Sequence, residues 1–80
     1  MRLDKYLKVS RLIKRRTVAN EACDGGLVSV NGKVARASYE VKIGDILEIN
    51  LGSRGVKVQV VAVEDNARKE TASAMYKEVL

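Results

Sequence analysis

The 80-residue chain has no histidine, tryptophan, phenylalanine or proline, and one cysteine. Without histidine the commonest general acid or base at neutral pH is missing, and so is the usual partner of cysteine in a zinc site. Cys23 cannot close an internal disulfide, and a small buried apolar role suits it better than that of a reactive thiol. Without phenylalanine or tryptophan the core must be aliphatic, built from Val, Leu, Ile and Ala. There is no run of eighteen apolar residues, and Asp4, Lys5, Lys8 and Arg11 break up the N-terminus where a signal peptide would need an apolar stretch. A soluble, cytoplasmic protein with no membrane association is expected. Eighty residues make one small domain with little room for an enclosed substrate pocket, and no nucleophile and base stand together. Enzyme activity, a cofactor and a metal site are therefore not expected.

What is present is charge, and it is concentrated. Residues 1–16 hold seven basic side chains, Arg2, Lys5, Lys8, Arg11, Lys14, Arg15 and Arg16, against the single acid Asp4. That stretch carries +6, while the remaining 64 residues carry eight basic and nine acidic groups and sum to −1. The whole +5 thus arises in one fifth of the chain, which points to a polyanionic partner.

Leu3, Tyr6 and Leu7 recur at i, i+3 and i+4, placing them on one face of a short helix with Lys5 and Lys8 on the other. Leu12 and Ile13 anchor the turn that follows. A second helix runs from Arg16 or Thr17 to Asp24, with Val18, Ala19, Ala22 and Cys23 on its apolar arc, and Gly25-Gly26 stops it. Lys14 to Arg16 crowd its N-terminus, where cations cost about 0.3–1 kcal/mol each. A bound phosphate explains that crowding better than folding does.

Leu27 to Val30 alternate as a strand, and Asn31-Gly32 is the strongest hairpin signal in the chain, since a type I′ turn needs positive φ at both positions. Residues 35–40 form an irregular crossing. Strands then run over Ile46 to Leu51, with Leu47, Ile49 and Leu51 alternating onto a buried face, and from Val56, joined by the loop Gly52 to Gly55, with a bulge near Val60. In the tail Ala72, Met75, Tyr76, Val79 and Leu80 recur at helical spacing, predicting an amphipathic helix capped by Asp65 or Asn66 that packs on the sheet or docks on a partner. The fold class is α+β: two short N-terminal helices on a small, mainly antiparallel sheet, plus a C-terminal helix. Residues 1–64 form the principal unit and 65–80 the helix packed on it.

Several stretches in order resemble the S4 RNA-binding domain family. They are Arg2-Leu3-Asp4-Lys5-Tyr6-Leu7, Arg16 with Ala19, Gly26-Leu27-Val28-Ser29-Val30-Asn31-Gly32-Lys33, and Val41-Lys42-Ile43-Gly44-Asp45-Ile46. The resemblance covers roughly residues 2–51. One departure is Arg15, where the family often has a serine before the arginine that opens the second helix. Capping must come from elsewhere or be replaced by ligand contacts, and the added charge suits a stronger demand for phosphate. The whole chain is most similar to the free-standing bacterial S4 proteins of ribosome-associated quality control, and next to the heat-shock type of ribosome-binding S4 protein.

The resemblance implies binding to a stalled large ribosomal subunit, at its rRNA and peptidyl-tRNA, in support of alanine tailing by a tRNA-recruiting protein on the same subunit. A monomer is expected. The other reading of the same charge is a basic module for an acidic protein or membrane surface. The candidate RNA-binding residues are Arg2, Asp4, Lys5, Lys8, Arg11, Lys14, Arg15, Arg16 and Lys33. Arg2 and Arg16 lead, because a guanidinium grips phosphate bidentately and stacks on a base. Asp4 either aims Arg2 or Lys8 through an ion pair or touches base and ribose hydroxyls directly. Tyr6 belongs to the core and Tyr39 is expected to be exposed. With so few aromatics, recognition by RNA shape and backbone is favoured.

Overall fold

The computed structural model describes residues 1–65 and 68–79. Helices α1 (Leu3–Val9) and α2 (Arg16–Asp24) precede β1 (Val28–Val30), β2 (Lys33–Val34), β3 (Ile46–Leu51), β4 (Arg54–Val60), the single turn α3 (Lys69–Ala72) and β5 (Tyr76–Glu78). The strands form one antiparallel sheet in the order β2-β1-β3-β4-β5.

The apolar face of α1 is buried through Leu3, Tyr6 and Leu7, and that of α2 through Ala19, Ala22 and Cys23. Both helices share one core with Val28, Val30, Leu47, Ile49, Val58 and Val60, which alternate along β1, β3 and β4. A fully buried aliphatic side chain such as Leu47 contributes about 1.5–3 kcal/mol, so this layer holds most of the stability of so small a domain.

Neither helix is capped by its own N-cap side chain, which is Arg2 for α1 and Arg15 for α2. At α1 the crossing segment takes over the task. The N–H groups of Leu3 and Asp4 donate to the carbonyls of Tyr39 (2.8 Å) and Ala37 (3.2 Å). Asp24 in turn accepts from the Ala37 N–H at 3.0 Å, so the irregular residues between β2 and β3 are fastened to both helices. At its other end α1 closes on Arg11, whose φ of +65° is a left-handed conformation in a residue other than glycine. The Arg11 N–H donates to the Lys8 carbonyl and the Ile13 N–H to the Leu7 carbonyl, both at 3.0 Å, turning the chain towards α2.

The Asn31-Gly32 turn has φ of +52° and +85°, as a type I′ hairpin requires. Between β3 and β4 the loop is tighter than expected. Leu51 pairs with Arg54, leaving Gly52-Ser53 as the connection, with Gly52 at φ +63°. The expected bulge lies just past β4, where consecutive N–H groups of Val61 and Ala62 converge on the Met75 carbonyl at 2.8 and 3.0 Å.

The tail corrects the predicted C-terminal helix. Only one turn, α3, is helical, with Arg68 rather than Asp65 before it; Asn66 and Leu80 lie outside the described residues. Ala72 and Met75 are buried as the spacing predicted, but Tyr76–Glu78 pair with Val58–Val60 as a fifth strand. The competition is physical: a helix through these residues would be short and marginal alone, and it would leave β4 as a bare edge. Pairing satisfies that edge and frees the Met75 carbonyl to accept from Val61, Ala62 and the Tyr6 hydroxyl, the last at 2.8 Å. Two smaller corrections concern burial. Val18 and Leu51 are exposed, Val18 because α2 turns only Ala19, Ala22 and Cys23 inward, and Leu51 because it borders the β3–β4 turn.

Candidate nucleic-acid interface

The start of α1 and the first turn of α2 meet at one buried carboxylate. Asp4 is only 2% exposed, and four groups surround it. Its Oδ1 accepts from the Lys5 N–H at 2.8 Å and from Arg2 Nε at 3.2 Å. Its Oδ2 accepts from Asn20 Nδ2 at 3.2 Å and lies 3.5 Å from Arg16 Nε. Burial pushes the Asp4 pKa up, but the hydrogen bonds from Asn20, Arg2 and the Lys5 N–H, with the Arg16 charge, outweigh it and leave it below the ordinary carboxylate value.

The consequence lies at the surface. The Arg2 and Arg16 side chains are 51% and 49% exposed, so each is held through Nε while about half of the side chain faces solvent. A pair of arginines fixed in this way presents fork-shaped donors to phosphate with less side-chain entropy left to lose. Asp4 thus has the geometry of the intramolecular ion pair, directed at Arg2 and Arg16 and not at Lys8.

The other candidates are placed differently. Lys5 is half-buried and its Nζ pairs with Asp65 at 2.9 Å. Lys8, Arg11, Lys14 and Arg15 are all exposed, distributed from the solvent face of α1 through the α1–α2 turn to the start of α2. Lys33 is exposed on β2 at the edge of the sheet, with no part in the Asp4 cluster.

Sequence reasoning missed Asn20, whose spacing of four from Arg16 puts both on one face of α2 and could have signalled it. It also missed a second buried carboxylate, Asp45. That group accepts from the Lys42 N–H (2.9 Å), the Tyr39 hydroxyl (2.9 Å) and Asn31 Nδ2 (3.1 Å). Burial raises the Asp45 pKa and these three bonds, with the Lys42 charge, bring it below the ordinary value. Tyr39 is accordingly half-buried and pinned, not exposed, and its own pKa is raised by the bond to Asp45. Cys23 is buried, and desolvation, with the Asp4 and Asp24 charges, pushes its thiol up to about 11, which keeps it protonated and unreactive at neutral pH.

The sequence pattern of the S4 domain matches residues 1–47. The "RQC P-site tRNA stabilizing factor" of Halalkalibacterium halodurans is 55% identical over 76 residues, covering 95% of this chain and 86% of that protein. The protein of the same name from Bacillus subtilis is also 55% identical over 76 residues, covering 95% of this chain and 88% of its own. Among solved structures, the trimeric Heat Shock Protein 15 of Vibrio cholerae superposes with a TM-score of 0.91 at 31% identity, over 99% of this chain and 81% of that one. The shared pattern runs through both helices, the Asn-Gly hairpin and the start of β3, and the shared fold extends over the full sheet: the chain belongs to the S4 domain family.

Proposed function

We propose that this chain is an RNA-binding factor of ribosome-associated quality control, one that binds the large ribosomal subunit at its rRNA and at the peptidyl-tRNA in the P site. Its role there is to hold the tRNA while a tRNA-recruiting protein on the same subunit supports alanine tailing. The observation that carries this reading is the Asp4-centred arginine pair within a basic N-terminal surface, in a chain more than half identical to P-site tRNA stabilizing factors over most of its length. Rigid guanidinium groups and surrounding lysines suit a folded RNA backbone, and they would act by contact rather than by chemistry. The chain works as a monomeric binding protein in the cytoplasm. Residues 1–64 supply the RNA-binding unit, with Lys8, Arg11, Lys14, Arg15 and Lys33 as phosphate contacts around Arg2 and Arg16. Segment 65–80 supports that unit.

A second reading, rescue of peptidyl-tRNA-bearing large subunits in the manner of a heat-shock-type S4 protein, is favoured by the close superposition on Heat Shock Protein 15. Association with purified large subunits, followed by sedimentation across a salt series, tests the shared core of both. About seven phosphate contacts predict a log–log slope of roughly −5 to −6. A flat response sinks both readings. Alanine tailing reconstituted with and without the protein then separates them.

A further inference from the structure

The Asn31-Gly32 turn is a place where the chain can react with itself. Of the asparagines Asn20, Asn31, Asn50 and Asn66, only Asn31 precedes a glycine, so only there is the following backbone nitrogen free of a neighbouring Cβ. That nitrogen can attack the Asn31 Cγ. The new N–C bond closes a five-membered imide, the carboxamide nitrogen leaves as ammonia with the proton given up by the Gly32 N–H, and water then opens the ring to aspartate or iso-aspartate. Water is the only other reactant, and Asn31 is exposed to it.

The fold opposes this step in two ways. Ring closure requires Cβ and the Gly32 nitrogen to lie on the same side of the Asn31 Cα–C bond. In the type I′ turn formed by Asn31 (φ +52°) and Gly32 (φ +85°), ψ of the first residue is about +30°, which sets those two atoms nearly opposite each other. The side chain is also held at both ends. Its Nδ2 donates to Asp45 Oδ1 at 3.1 Å and its Oδ1 accepts from the Ile46 N–H at 3.0 Å, while the Asn31 N–H donates to the Ile46 carbonyl at 2.8 Å. The product cannot rebuild what it replaces. An aspartate at this position has no N–H to give Asp45 and sets a second carboxylate against a buried one. Iso-aspartate adds a methylene to the main chain, inside the turn that fixes the β1–β2 register. We infer that Asn31 is a self-modification site gated by its bond to Asp45, shut while the hairpin is fastened to the turn before β3 and open once that fastening releases. The hairpin thereby records its own opening as a permanent change of charge.

Peptide mapping by mass spectrometry, after incubation at mildly alkaline pH, measures the conversion of the Asn31 amide to acid. Folded protein is expected to convert at least about tenfold more slowly than the same protein held unfolded in urea, because the reaction must wait for local opening. Asp45→Ala removes the acceptor of Nδ2 and should speed conversion of the folded protein at least about threefold. Tyr39→Phe takes a different partner from the same carboxylate and leaves both Asn31 side-chain bonds in place, so its rate should stay near that of the wild type. Circular dichroism checks that each variant is folded. A folded rate equal to the unfolded one overturns the gate, as does an Asp45→Ala no faster than wild type or a Tyr39→Phe as fast as Asp45→Ala. Should Asp45→Ala not fold, the wild type decides. In urea below the unfolding transition, conversion should rise in step with hydrogen exchange of the Ile46 N–H, whose acceptor is Asn31 Oδ1, and a rate indifferent to that exchange overturns the inference.

Discussion

Asp4 and Asp45 are both buried carboxylates, both fully satisfied and both held in the ionised form, yet they serve opposite ends. Asp45 spends its bonds inward, on a backbone N–H, an amide and a phenol that join the β1–β2 hairpin, the crossing segment and the turn before β3. Asp4 spends two of its contacts on arginines that are half in water. A buried charge is costly unless fully paired, so neither is free to drift, and the identity of the partners decides what each one does. Neutral partners make a staple. Charged, half-exposed partners make a presenting surface.

The largest expected effect separates these roles. Asp45→Ala removes three hydrogen bonds at once and should cost roughly 2–3 kcal/mol of stability by urea unfolding, with the affinity of the remaining folded protein for large subunits little changed. A loss of affinity without a loss of stability would place Asp45 on the wrong side of the comparison. Arg16→Ala should do the reverse, weakening binding by about tenfold or more, from a charge-assisted contact worth roughly 1.5–3 kcal/mol, while the melting temperature stays nearly fixed.

Arg11 sharpens the contrast further. Its left-handed φ costs an L-residue about 1–2 kcal/mol, a cost glycine does not carry. Arg11→Gly should therefore raise stability by about 1 kcal/mol while lowering RNA affinity. A variant that gains both, or loses both, shows that the arginine is not kept there for its charge. The smallest effect is the dependence on acid. Both carboxyl pKa values are lower in the folded protein, so their contribution is complete above the unfolded value of about 4 and drains away as pH falls below it. Asp4→Asn and Asp45→Asn should each flatten the acid limb of the stability profile, and only Asp4→Asn should also reduce binding at pH 7.

The two aspartates also mark how far the residues could be read in advance. Helices α1 and α2, the Asn31-Gly32 turn and the alternation in β3 are local patterns, in which period and turn chemistry agree with the fold. The Arg2–Asp4 pairing is local too, two residues apart. The tail misled because Ala72 and Met75 do face the core, as a helix would require. What decides between helix and strand there is an unpaired edge of β4, which no spacing within the tail records. The Asp45 network was invisible for the same reason: its side-chain partners, six and fourteen residues away, meet only once the crossing segment is in place.

The bond from the Tyr6 hydroxyl to the Met75 carbonyl spans 69 positions of sequence. During synthesis the N-terminal helix leaves the exit tunnel early, but this contact of its central side chain waits until Met75 has been added and released from the tunnel. The helix that is made early is therefore secured late, by a residue 69 positions further along the chain.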